Sequence, residues 1–230
     1  MPFILSLLLL VCGALLAVFA ASALFFRDEI NAARSKDPAA RSLLEIVILY
    51  QGLHALLCYR VARVFFRLKL YLAARLVSQF GRQWTGIEIH PGAVIGRGLF
   101  IDHGMGVVIG ETAVVGNNVL LYQGVTLGGT GIRKGKRHPT VGDNVVIGAG
   151  AKVLGDIKIG DNSYIGANAV VIKDVPPNST VVGVPGRITR QDGKKIDVSL
   201  DHIHILDPLV ESIEALQKRI EQLEKDRKTN

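Results

Sequence analysis

Cysteine is nearly missing from this chain of 230 residues: only Cys12 and Cys58 occur, each in an apolar stretch without ligand-like spacing. That argues against a disulfide framework or a cysteine-ligated metal, and leaves both thiols as core or lipid-facing groups. Aromatic residues are scarce, at 6%. The formal charge is +7 and the pI near 9.5, yet the basic residues are not interleaved with aromatics. Nucleic acid is therefore not the expected partner, and an anionic small molecule is.

Charge is missing altogether from Phe3 to Phe26, a run of Leu, Ala, Val and Phe long enough as a helix to cross a hydrocarbon layer of about 30 Å. No basic residue precedes it, which disfavours a cleavable signal peptide. Arg27, Arg34 and Lys36 follow it. By the positive-inside tendency everything after the run would be cytoplasmic, tethered to the membrane face by residues 3–26. The alternative is an apolar helix buried against another subunit.

What the chain has in abundance is a six-residue period. From Ile89 to Val171 an aliphatic residue returns at every sixth position, often with glycine behind it, as in Ile95-Gly96, Ile147-Gly148 and Ile165-Gly166. The period slips twice, by two residues between Ile101 and Ile109 and by eight between Leu127 and Val141. At about 100° per residue, a helix would scatter such positions around its axis. Extended backbone, with its side-chain period of two, keeps them on one face. Short strands broken by regular bends follow, and the sum is a parallel β-helix whose rungs bury their aliphatics by stacking.

The fold class predicted is α+β, with five segments. Residues 1–27 form the apolar N-terminal helix, and 28–85 form a helical subdomain of two or three helices, starting at Ser35-Lys36-Asp37-Pro38, that caps the first rung. Residues 86–190 form the β-helix, 191–208 a polar linker and 209–228 a C-terminal helix. In that last helix Leu209, Ile213, Leu216, Ile220 and Leu223 make a heptad seam barely two heptads long.

Chemistry is expected where the pattern breaks. One break holds Glu88, His90, Asp102 and His103. The other is the excursion from Gly128 to Pro139, with four glycines and four cations in twelve residues, suited to phosphate groups. With the motifs KDPA at 36–39, GIEIHPGAVIG at 86–96, IDHGMGVVIGETAVVG at 101–116, GVTLGGTG at 124–131, KRHP at 136–139, IGAGAKVLG at 147–155 and GVPGRI at 183–188, the chain resembles the serine acetyltransferases over roughly residues 30–190. In hexapeptide proteins of that kind the β-helix is left-handed.

The resemblance implies transfer of acetyl from acetyl-CoA to the hydroxyl of L-serine, with His103 as general base. Its carboxylate partner in the family is an aspartate fifteen residues earlier; here that position is Glu88, one methylene longer. Asp37 and Asp102 match the acidic residues that hold the substrate amino group. Arg137 matches the arginine that grips its carboxylate, His138 a histidine of the same pocket and Glu111 a nearby acid. Gly128, Gly129 and Thr130, with Ala149 and Lys152, match the path of the CoA pantetheine and phosphates. No metal is implied.

The resemblance further implies a homotrimer or a dimer of trimers with the pocket between neighbouring chains, and cysteine as feedback inhibitor. The family's complex with O-acetylserine sulfhydrylase uses a C-terminal isoleucine. This chain ends Lys228-Thr229-Asn230, which puts that complex in doubt. Three other readings stay open: an acetyltransferase for homoserine or a sugar, a hexapeptide carbonic anhydrase using His90, His103 and His138, and a non-catalytic membrane scaffold.

Overall fold

The computed structural model describes residues 25–132 and 134–195, with the single position 219. The expected apolar helix, up to residue 24, and the expected heptad seam, apart from Arg219, lie outside the described residues, as does the expected linker beyond residue 195.

Four helices come first: α1 (Arg27–Lys36), α2 (Leu43–Leu49), α3 (Gln51–Arg67) and α4 (Tyr71–Thr85). No helix starts at Pro38. Asp37 ends α1, and its Oδ1 accepts from the Ala39 N–H at 2.7 Å, holding a turn. The next helix starts at Ser42, whose hydroxyl accepts from the Glu45 N–H at 3.1 Å, while the Glu45 carboxylate accepts from the Arg41 N–H. Ser42-Leu43-Leu44-Glu45 is thus a start signal of the S-x-x-E kind, and it outweighs the proline.

No single described helix is long and apolar enough to cross a membrane. The α2–α3 pair reaches that length but bends by 60° between its two parts. Ile46, Ala55, Leu56, Tyr59 and Ala62 on these helices are buried. Cys58 is buried too, on α3, where its Cβ fills the space beside Gly81 of α4.

The coil follows, in two- and three-residue strands that form three parallel walls. Wall 1 stacks β1 (Glu88–Ile89), β4 (Val108–Ile109), β7 (Thr126–Gly128), β10 (Lys152–Leu154) and β13 (Val170–Val171). Wall 2 stacks β2 (Val94–Ile95), β5 (Val114–Val115), β8 (Thr140–Val141) and β11 (Lys158–Ile159). Wall 3 stacks β3 (Phe100–Ile101), β6 (Leu120–Leu121), β9 (Val146–Ile147), β12 (Tyr164–Ile165) and β14 (Ser179–Val182). The aliphatic that opens each hexad is the inward residue of its strand; from Ile89 to Val171 all are buried except Ile95, which is partly so.

Register shows why the two slips do no harm. Undisturbed turns take 18 residues, as Lys158 opposite Thr140. Across the first slip Val108 pairs with Glu88, 20 residues back, and across the second Thr140 pairs with Val114, 26 back. The two and eight extra residues leave the wall at corners and return in phase, so the inward face never flips.

Both ends of the coil are closed. At the first rung Tyr59 Oη donates to the Ala93 carbonyl at 2.7 Å, Ser78 Oγ to that of Ile89 at 2.9 Å, and the Arg63 guanidinium to Pro91, Gly92 and Ala93. Helices α3 and α4 therefore supply donors to a strand edge that would otherwise stand open. At the other end β15 (Arg187–Gln191) runs antiparallel on β14, and β16 (Lys194–Lys195) antiparallel on β15. The turn between them is Asp192-Gly193, both at positive φ (50° and 73°). That hairpin signal carries the sheet into the stretch expected to be a linker.

Candidate active site

The first slip builds a corner of left-handed residues. Between β3 and β4 the chain runs Asp102-His103-Gly104-Met105-Gly106, with His103 at φ 57°, a left-handed conformation uncommon for a residue with a side chain, and glycines at 72° and 76°. Gly104 allows the loop to press on Ile87, where a Cβ would come within 2.5 Å of that side chain. The His103 side chain therefore points away from the aliphatic core and is 73% exposed in the single chain.

Around it the helical subdomain contributes a wall. Gly52, in the first turn of α3, packs its Cα against the Ile101 carbonyl, which brings Tyr50 and Asp37 over the corner. Asp37, Tyr50, Asp102 and His103 thereby face one cleft of about 290 Å³. The Asp37 carboxylate is fixed on both oxygens, Oδ1 by the Ala39 N–H and Oδ2 by the Tyr50 hydroxyl at 2.5 Å. Burial first, and then the hydrogen bond to Asp37, push the Tyr50 phenol above its usual range, so it stays protonated as the donor. Asp102 Oδ1 lies 3.9 Å from His103 Nε2.

Tyr50 was not singled out from the sequence. Its signal was its place, thirteen residues after Asp37 at a break between two apolar helices, and that acquires meaning only once the helices fold back over the corner.

Glu88 stands on the outer face of wall 1, in register with Val108, Thr126 and Lys152. Its carboxylate is ion-paired, 3.1 Å from Arg82 of α4 and 3.9 Å from Arg75. Within one chain the carboxylate beside the His103 ring is that of Asp102.

The second slip builds another cluster, at the corner joining walls 1 and 2. His138 is buried, its Nδ1 accepting from the Thr112 N–H at 3.2 Å and lying 2.8 Å from the Thr112 hydroxyl. Its ring lies against Gly110, where any Cβ would overlap it, and close to Gly129. Burial and the Arg137 cation lower the His138 pKa below the usual histidine range, outweighing Glu111. Arg137 Nη2 lies 3.8 Å from Glu111 Oε2. Thr130, Lys134, Lys136, Arg137 and Asp156 line a cleft of about 400 Å³, mostly cationic and open to an anion.

The residues expected for the CoA path divide between the same two corners. Gly128, Gly129 and Thr130 belong to the second. Ala149 follows β9 at the first, and Lys152 Nζ donates to the Gly124 carbonyl there. That corner also carries Gly106, Gly124 and Gly150, all at positive φ, each facing the next at 3.4–3.7 Å from a built Cβ. They leave a shallow glycine groove that runs from the His103 loop as far as Asn168, whose Oδ1 stands where a Cβ on Gly150 would lie.

One chain thus presents two clusters at opposite edges of wall 1. A larger open cleft of about 690 Å³ lies at the remaining corner under α1, but it is lined by Lys36, Arg97 and asparagines already bonded to one another, away from this chemistry. Among the described residues no three His, Cys, Asp or Glu side chains gather around a common metal position.

Comparison with known proteins points to one family. The family "Bacterial transferase hexapeptide (six repeats)" matches residues 138–173, and "Hexapeptide repeat of succinyl-transferase" matches 104–123. A serine acetyltransferase of Staphylococcus aureus is 57% identical over 196 residues, covering 85% of this chain and 92% of its own.

Among solved structures, the Neisseria gonorrhoeae serine acetyltransferase in complex with serine is 40% identical with a TM-score of 0.69, covering 73% of this chain and 69% of that one. A serine acetyltransferase in complex with cysteine is 42% identical with a TM-score of 0.71, over 72% and 64%. The Brucella abortus enzyme in complex with coenzyme A is 43% identical with a TM-score of 0.70, over 72% and 66%. The three-walled coil is accordingly the left-handed parallel β-helix, preceded by a helical subdomain. With that identity spread over the coil, both corner clusters and most of the helical subdomain, this chain belongs to the serine acetyltransferase family.

Proposed function

We propose that the chain is a serine O-acetyltransferase, an acyltransferase that moves acetyl from acetyl-CoA to the hydroxyl of L-serine, giving O-acetyl-L-serine and CoA. The observation that carries this reading is the meeting of Asp37, Asp102 and His103 at one cleft, where the coil departs from its period. A hydroxyl is a poor nucleophile at neutral pH, and imidazole is the side chain able to take its proton there. His103 removes that proton as the oxygen attacks the thioester carbonyl. It then returns the proton to the departing CoA sulfur, so no net charge is left on the enzyme. Asp37, held by Tyr50, receives the substrate ammonium together with Asp102, and Arg137 receives its carboxylate.

These groups work together only if the first corner of one protomer meets the second corner of its neighbour, so the active form is a homotrimer or a dimer of trimers. In that cleft Glu88 is the carboxylate that orients the His103 imidazole, by analogy with the aspartate of the family. It must then exchange its Arg82 contact for the imidazole. The glycine groove with Ala149 and Lys152 on one side, and Gly128, Gly129, Thr130 and the cations near Thr130 on the other, fit an extended arm ending in phosphates. Acetyl-CoA supplies the activated acyl thioester when bound there.

Cysteine, an isostere of serine with a thiol for the hydroxyl, fits the same amino-acid pocket and would inhibit by occupying it. Residues 3–26, uncharged throughout, would tether the enzyme to the cytoplasmic face of a membrane. Recovery of all activity in the soluble fraction would refute the tether without touching the chemistry.

The test is thiol release from acetyl-CoA with L-serine, homoserine and a sugar as acceptors. Serine should be the preferred acceptor, and His103→Ala should lower turnover at least ~10²-fold with the fold intact. Equal rates with homoserine would change the substrate, and an active His103→Ala would end the assignment of the base.

A further inference from the structure

The outer side of the α3–α4 hairpin is apolar and uncovered. All residues from Arg67 to Leu72, the tip that joins the two helices, are exposed, Leu72 at 76%. A stripe spaced by four continues along α4 through Leu76, Phe80 and Trp84. The contiguous apolar area is of the kind that marks an interaction site.

Its charge is of one sign. The sequence has no Asp or Glu between Glu45 and Glu88, and Glu88 is engaged by Arg82 and Arg75. Arg67 and Lys69 flank the tip leucines, and both are exposed. A second copy laid on this face would bring cations and no carboxylate to meet them.

The tip is also close to where the uncharged N-terminal segment joins the described chain. Arg60 Nη1 donates to the Phe25 carbonyl at 3.0 Å, and its guanidinium lies over the rings of Phe25 and Phe26. From Arg60 to Arg67 along α3 is about 10 Å.

We propose that this hairpin face lies on an anionic lipid bilayer. Leu68, Leu70 and Leu72 enter the boundary between headgroups and acyl chains, Tyr71 stands at headgroup level, and Arg67 and Lys69 meet lipid phosphates. The contact is separate from the tether proposed for residues 3–26 and orients the enzyme, whereas a tether alone would let it turn freely.

Trp84 is the one tryptophan of the chain, so its emission reports on the hairpin alone. Full-chain protein is transferred from detergent to vesicles of phosphatidylcholine, with or without phosphatidylglycerol, carrying brominated acyl chains. The expected result is flotation with the vesicles and Trp84 quenching that is stronger with phosphatidylglycerol. Leu68→Glu/Leu72→Glu should abolish the quenching, and Arg67→Gln/Lys69→Gln should reduce it to the level seen with phosphatidylcholine alone, both with thiol-release rates unchanged.

Flotation without quenching, or quenching indifferent to both variants, overturns the hairpin contact and leaves the tether standing. Neither flotation nor quenching overturns both. A leucine variant of altered oligomeric mass, with the native protein unquenched, would show that a second copy covers the face instead.

Discussion

Tyr50 is the residue on which the amino end of the proposed substrate pocket turns. Its hydroxyl occupies one oxygen of Asp37 at 2.5 Å, and the Ala39 N–H occupies the other, so the carboxylate cannot rotate away. Tyr50→Phe removes a hydrogen bond to a charged group, worth about 1.5–3 kcal/mol. The KM for serine should rise roughly tenfold or more with a much smaller change in kcat, measured by steady-state thiol release. An equal fall in kcat with KM unchanged would place Tyr50 in the chemistry itself.

His90 and His138 make a second residue-scale case. Each has Nδ1 accepting a backbone N–H, from Gly92 and Thr112 respectively, so a proton on that nitrogen would displace the bond. Burial first, and then the cations Arg75 and Arg137, lower both pKa values. Below about pH 6.5 the unfolded chain therefore binds protons that the folded chain refuses, and stability falls as pH falls. Thermal denaturation should show the melting temperature declining from pH 7 to pH 5, and His90→Gln should make the decline shallower. A flat profile would contradict the lowered values.

At the scale of the element, the corner between walls 2 and 3 is fastened by a ladder of side-chain amides. Asn118 donates to Asn144, Asn144 to Asn162, Asn162 to Asn178, and Asn178 to Asp192, over 3.0–3.4 Å. Every member has φ between 50° and 56°. Asparagine tolerates that conformation and still supplies both a donor and an acceptor. Asn144→Ala loses the bonds and strains the backbone, while Asn144→Gly loses the bonds alone. Alanine should therefore destabilise by about 1–2 kcal/mol more than glycine, as read from urea denaturation; the reverse order would rule out strain as the reason for asparagine.

Much of this scaffold was legible in the letters. The hexads from Ile89 to Val171 gave the walls and the inward residues, because a step of six in extended chain admits one solution. The two slips marked the corners where the two polar clusters stand. Less legible was whatever depends on one element folding over another. Pro38 suggested a helix start until Asp37 held the turn. Glu88 was expected beside His103, and in the single chain its carboxylate is engaged by Arg82 from α4. Which carboxylate reaches an imidazole depends on the path of α4 across wall 1, and no periodicity records that path.

At the scale of the molecule, the proposed function makes the two corner clusters complementary halves, His103 in one and Arg137 in the other, that meet only between protomers. His103→Ala and Arg137→Ala proteins should each be inactive alone. Unfolded together and reassembled as mixed trimers, they should recover activity, since roughly one interface in four would combine an intact His103 from one protomer with an intact Arg137 from its neighbour. The check is the thiol-release rate of the mixture against each parent treated alone. No recovery would mean that each chain completes its own site.

The return to phase after the excursion between Leu127 and Val141 has a consequence for how such a protein is altered. Because Thr140 meets Val114 as if the eight added residues were not there, that segment is a graft hung on a rod whose length it does not change. Shortening or replacing it would retune which acyl donor or acceptor is admitted while the rod stays as stiff as before. Specificity in such a solenoid can drift without spending any of the stability that the stacked rungs provide.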